Sequence, residues 1–164
     1  MFSFYFRKKI DQTHLLVKLS SICLCFMMSF VGFSCEEDED YPMQMTFEKY
    51  LPNDNKCGVI DIVQNEVVIV NGEEKLKKHI VCENVELPKI NFVKHSLLLV
   101  KGQSVSGVGD INISLNKVDV DKYVMDVVVH EDMTTAAPSW FISIVTPKIK
   151  DTDVITLNVS YKNI

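Results

Sequence analysis

The side chains with intrinsic chemistry are few and widely spaced. The chain has five cysteines. Cys23 and Cys25 lie inside an apolar run, Cys35 ends that run, and Cys57 and Cys82 follow further on. A thiol can act as a nucleophile, a metal ligand, a cross-link or a point of attachment, depending on its neighbours. Cys35 has the most distinctive setting, because Glu36, Glu37, Asp38, Glu39 and Asp40 follow it without a break. The histidines beyond it are His79, His95 and His130, and no two have metal-ligand spacing on one element. A Cys–His nucleophile pair has no local support. Ser104-Val105-Ser106-Gly107 only brushes the pattern of a serine elbow. Gly107-Val108-Gly109 lacks the third glycine, and the helix it should open, of a phosphate cradle. Asp54 and Asp61 flank Gly58 without the every-second-position acids of a calcium loop. Asp119, Asp121, Asp126, Glu131 and Asp132 either gather at one end to hold a weak cation or form a solvated rim. Trp140 begins an apolar strand, which suits core packing better than a sugar platform. The expectation is no catalytic residue, no metal, no cofactor, and a role other than an enzyme.

These residues sit on elements that are mostly strands. Val59–Val63 and Glu66–Val70 are rich in β-branched residues, with Gln64-Asn65 as a turn between them. From 72 to 81 the pattern is that of one short amphipathic helix. Asn71 is its expected cap, Glu73 and Glu74 fill the first turn, and Leu76 and Ile80 share the buried face. Leu97–Val100 is an unbroken apolar run, expected to be a central strand buried on both faces. Ser104–Asp110 reads as a loop or a bulged strand start. Ile111, Ile113 and Leu115 alternate with polar residues, Asp119–Lys122 is a hairpin turn, and Tyr123, Met125, Val127 and Val129 alternate again. Trp140–Val145 and Val154–Tyr161 are the last strands, with Pro147 stopping the first of them. The expected fold is mainly β (α+β), an antiparallel sheet or sandwich of about 6–8 strands with one helix. The expected domains are 1–34 as a leader, 35–56 as tether and linker, and 57–164 as a single β-rich domain.

Charge excludes one class of partner. The whole chain carries 17 basic and 22 acidic residues. Four of the basic ones (Arg7, Lys8, Lys9, Lys18) and one acidic one (Asp11) precede Cys35, which leaves 13 against 21, or −8. An acidic domain without a basic stripe is a poor nucleic-acid binder. With Cys23 and Cys25 in the leader, and Cys35 set aside, Cys57 and Cys82 form an even pair. They either bridge a loop of about 26 residues, for roughly 3 kcal/mol, or remain two buried free thiols.

The leader has the three parts of an export signal: a basic start, an uncharged apolar stretch from Leu19 to Phe33, and a small residue, Ser34, before Cys35. That stretch is short for a bilayer span, which needs about 20 residues; the alternative is an uncleaved signal anchor. The segment resembles a bacterial lipoprotein signal, in which cleavage precedes a diacylated cysteine. In Gly32-Phe33-Ser34-Cys35, Ser34 and Cys35 fit that box; Gly32 and Phe33 depart from it. The run Glu36–Asp40 resembles the export signal of Bacteroidetes surface lipoproteins. The resemblance implies lipid on Cys35, an outer-membrane location facing the cell exterior, and two acyl chains that anchor stably where one would not.

The second half resembles the small β domain of PrcB-like protease-complex subunits. The residues that carry this are Leu97–Gln103, Ser106-Gly107, an alternating hairpin, Pro138-Ser139-Trp140 and Thr146-Pro147-Lys148. It also looks like Bacteroides lipoproteins with a Leu-Pro-x-Ile-x-Phe segment, here Leu87–Phe92. No catalytic residue belongs to either pattern. The implied function is a membrane-anchored, non-enzymatic binding or accessory protein with an envelope-protein partner; the alternative is a protease-associated regulator or inhibitor.

Overall fold

A computed structural model describes residues 40–51 and 57–163, all within one compact unit, Asp40–Ile164. The fold is mainly β with one helix, as expected. Among the described residues there are ten strands, β1 (Met43–Gln44), β2 (Glu48–Lys49), β3 (Cys57–Val59), β4 (Val67–Val70), β5 (Ile80–Cys82), β6 (His95–Gln103), β7 (Gly107–Asp119), β8 (Lys122–Asp132), β9 (Ser139–Pro147) and β10 (Val154–Asn163), and the helix α1 (Glu73–His79).

Two four-stranded sheets face each other. One has the order β1-β7-β8-β10 and the other β2-β9-β6-β4; β3 and β5 form a separate ribbon. The alternation of β7, β8 and β10 sends Ile111, Ile113, Leu115, Met125, Val127, Val129, Ile155, Leu157 and Val159 inward, against Leu98, Val100, Trp140, Ile142 and Ile144 of the other sheet. A second core lies on the far side of that second sheet. There Leu97 and Leu99 pack with Tyr50, Leu51, Val59, Val70, Leu76 and Ile80. Strand β6 is therefore the middle layer of three. This is why Leu97, Leu98, Leu99 and Val100 are all fully buried and why the run does not alternate.

One expectation about direction is corrected. The second half is not a simple antiparallel meander, because β10 pairs with β8 in parallel, Val154 opposite Lys122 through Asn163 opposite Glu131. Strand β9 lies between them in sequence but belongs to the other sheet. It reverses the chain there, so β8 and β10 run the same way when they meet. Period-two alternation says which face is buried, and is silent on which sheet a strand joins.

The folded unit also begins earlier than 57. Residues in the expected linker 35–56 form β1, which pairs with Lys117 and Asn116, and β2, which pairs with Val145 and Ile144. Tyr50 and Leu51 are buried, and Lys117 Nζ stands 5.3 Å from the ring centre of Tyr41. This segment crosses from one sheet to the other, pairing two residues with each.

The helix is shorter than 72–81 and is not capped by Asn71. Its N-cap is Gly72, without a side-chain cap bond. Asn71 instead holds the β9–β10 connection: its Nδ2 donates to Ile149 O (3.0 Å), and its Oδ1 accepts from Ser96 Oγ (2.6 Å) and Lys148 Nζ (2.8 Å). The acidic first turn and basic last turn suit the helix dipole. Ile80 turns extended and pairs with Val59, so the β3–β5 ribbon ends the helix at His79.

Candidate functional site

The sequence-derived candidates do not assemble into one centre. Cys35, Glu36, Glu37, Asp38 and Glu39 lie outside the described residues, and Asp40 is exposed. Cys57 and Cys82 sit opposite each other on β3 and β5 and are bonded, with sulfurs 2.02 Å apart. The bridge closes the ribbon that covers the second core, and its sulfurs are spent on each other.

The three histidines are on three elements. His79 is buried at the end of α1, with Nδ1 3.3 Å from Ile60 O. A carbonyl only accepts, so Nδ1 carries the proton and the ring is structural. His95 pairs with Pro147 at the start of β6. His130 Nε2 lies 3.0 Å from the Asn112 amide nitrogen, where it accepts. Among the described residues no group of three or more His, Cys, Asp or Glu side chains is placed to hold a metal.

The acidic residues divide rather than cluster. Asp119 and Asp121 flank the β7–β8 turn, while Glu131 and Asp132 end β8. Ten residue steps of strand separate Lys122 from Asp132, about 33 Å at the strand rise. Of the two alternatives for these carboxylates, gathering at one end is thereby excluded. Asp119 is held below the usual carboxylate range by a hydrogen bond from Lys122 (2.7 Å). Asp126 lies mid-strand on the outer face, taking Asn158 Nδ2 (2.9 Å) and Ser114 Oγ (3.3 Å).

Glu131 resolves the question raised by the glycine- and serine-rich loop. Its carboxylate accepts a short hydrogen bond from the buried Ser104 hydroxyl, and one from the Val105 N–H at 3.3 Å. The Ser106 N–H donates in turn to Ser104 Oγ (3.2 Å). The Ser104 hydrogen bond, with help from the backbone, holds Glu131 below the usual range. The donors that a phosphate would need are thus taken up by an internal carboxylate. Strand β7 then bulges between Val108 and Asp110, as the sequence expectation of a bulged start allows.

Of several surface clefts among the described residues, the one bordered by incompletely paired strands is a cleft of about 260 Å³ between the facing edges of β7 and β9. Its apolar wall is made by Leu51, Val108, Ile111, Ile113, Phe141 and Ile142, with Lys49 and Asp110 at the rim. The cleft exists because β1 and β2 cover only part of these edges. On β7, the partner strand stops at Asn116, and Met45 N donates to Leu115 O (2.8 Å). From Gly107 to Ser114, the edge away from β8 has no strand partner among the described residues. Ile111 and Ile113 are only half-buried, and Phe141 is 36% exposed. In the sequence these residues read as core-facing alternation; that they border an opening depends on where β1 ends, which no local pattern encodes. Trp140, by contrast, is buried in the core, as its apolar setting predicts.

No helix among the described residues is long and apolar enough to cross a membrane. No protein family, no curated protein and no solved structure matches this chain.

Proposed function

We propose that the chain is a lipoprotein anchored through Cys35, displayed on the outer membrane facing the exterior, whose folded unit acts as a non-enzymatic binding or accessory protein. The anchor reading is supported by the order basic start, apolar run, Cys35, acidic run. The binding reading is carried by one observation, the half-open cleft between β7 and β9, where apolar side chains meet Lys49, Asp110 and Ser143. A concave site that combines apolar side chains with placed polar groups is the usual form of a ligand surface.

Each half has its own test. Metabolic labelling with palmitate is expected to mark the wild type and not Cys35→Ala; equal labelling would overturn the anchor. Pull-down from solubilised envelopes with the tagged mature chain is expected to retain a partner that Phe141→Lys releases. Retention unchanged by that substitution would remove the cleft from the function.

A further inference from the structure

We infer that the cleft takes an extended polypeptide segment of a partner protein, which adds as a strand to the open edge of β7 and places apolar side chains at every second position against Ile111 and Ile113, in the cleft that Phe141 borders. The inference rests on the proposed binding role of the cleft and specifies its occupant.

The first support is continuity with a pairing already made. The chain's own β1 lies antiparallel on this edge at Lys117 and Asn116, and Met45 extends the contact to Leu115. The chain then leaves for the other sheet, where Glu48 and Lys49 pair with β9. Among the described residues, the row it started on β7 has no strand partner for the eight residues from Gly107 to Ser114. An open strand edge is a row of donors and acceptors that template another strand. The second support is the side-chain pattern beside that edge. Val108, Ile111 and Ile113 point toward the cleft, so a strand laid along β7 would send alternate side chains into it and the others to solvent.

Other occupants fit less well. The chain's own segments 36–39 and 52–56 read Glu-Glu-Asp-Glu and Pro-Asn-Asp-Asn-Lys, without an apolar residue to fill the cleft. A second copy pairing through β7 would bring together two chains that each carry −8 beyond the leader, over one eight-residue edge. That repulsion favours a neutral or basic partner segment.

The test uses the folded unit from residue 36 onward with its disulfide intact, which has both cores and forms one compact body. The probe is an end-blocked octapeptide alternating valine with lysine and threonine. A matched peptide carries an N-methyl group on every residue, which removes the donors of both edges and keeps every side chain. Amide exchange and chemical shifts are followed along β7. The expected result is that the first peptide slows exchange at alternate amides of Gly107–Ser114 by at least roughly tenfold, while the methylated peptide, with no donor on either edge, does not. Phe141→Lys, with unfolding checked separately, should weaken the first peptide's binding.

Four results would overturn the inference. Equal binding by both peptides would keep the cleft as a binding site and remove strand addition. No binding of either at millimolar concentration would remove the polypeptide occupant. Concentration-dependent protection of β7 without peptide, at the mass of a dimer, would make a second copy the occupant. Shifts at Phe141 and Ile111 with palmitate, in the absence of peptide binding, would make the cleft an acyl-chain site.

Discussion

Gly102 is where a single methyl group should do the most damage. It lies opposite Trp140 in the β6–β9 pairing, on the face between the sheets. A Cβ there would lie 2.1 Å from Trp140 Cζ2, 2.4 Å from Cε2 and 2.7 Å from Cη2. The indole occupies the space that any other side chain at this position would need. Backbone conformation is not the obstacle, since no glycine of the described residues has positive φ. On propensity alone, Gly102→Ala in a strand would stabilise by about 0.5–1 kcal/mol. Overpacking a close-packed core costs about 1–3 kcal/mol, and occasionally more. The contact distances make the second effect win, for a net loss of about 1–2 kcal/mol after the propensity gain is subtracted.

Urea unfolding measures this directly, and Trp140, the one tryptophan of the chain, reports on its own surroundings. With a slope of about 1–3 kcal/mol per molar urea, the midpoint should fall by roughly 1 M. The cause is isolated by a second substitution. Trp140→Phe removes the outer ring atoms, Cζ2 and Cη2, that the new methyl would strike. It also removes an indole N–H that has no acceptor among the described residues, which offsets part of the cost of the cavity it leaves in the core. In that background, followed by circular dichroism, Gly102→Ala should be near neutral or stabilising, giving a coupling of about 1 kcal/mol or more. If Gly102→Ala is harmless in the wild type, or equally harmful in both backgrounds, the indole does not lie over Gly102 and the reasoning fails.

Three further outcomes follow from the layers and the loops. Reducing the Cys57–Cys82 bridge, or replacing both with serine, should cost roughly 3 kcal/mol through the freed loop; thiol titration of the denatured, unreduced chain from residue 36 onward should find neither cysteine reactive. Leu98→Ala and Leu99→Ala should each cost about 2–5 kcal/mol in urea unfolding, because both faces of β6 are buried; a cheap Leu99→Ala would remove the second core. Glu131 has a lowered pKa in the folded state, chiefly from the Ser104 hydroxyl. Its stabilising contribution is therefore complete above the unfolded value, near 4.3, and is lost as pH falls through the lower folded value. Glu131→Gln should flatten the decline of the unfolding midpoint below about pH 5, and an unchanged acid limb would show that the carboxylate carries no such linkage.

The class of fold was legible because its signals are local. The alternation in Ile111–Leu115 and Tyr123–Val129 marks one-sided strands, and the unbroken Leu97–Val100 run marks the strand with a layer on each side. The Asp119–Lys122 turn and the Gln64–Asn65 turn have their own chemistry, Asn65 adopting φ 59°. What failed was whatever depended on a distant partner. Asn71 has the composition of a cap, but Ile149, Ser96 and Lys148 compete for its amide and win. Met43–Lys49 looks like a linker because two-residue strands have no periodicity to read; the pairing lies in β7 and β9, more than seventy residues away. The cleft was hidden for the same reason. Its residues carry the pattern of a buried strand, and its opening is set by what β1 leaves uncovered.

The edges of the two sheets differ in how they are guarded. Strand β4 is only four residues long, and short edges template poorly. Strands β1 and β2 have two residues each. On β10 the residues pointing out of the sandwich are Thr156, Asn158, Ser160 and Lys162, and Lys162 puts a charge near the strand end. The open part of β7, Gly107–Ser114, has one charged residue, Asp110, and one bulge beside it. A bulge and a charge at one end deter pairing there, while Ile111 to Ser114 are left with neither. Free edges that invite association are a liability in a protein that has no use for them. The placement of this open edge beside the cleft joins a backbone template to a side-chain surface, and strand recognition needs both.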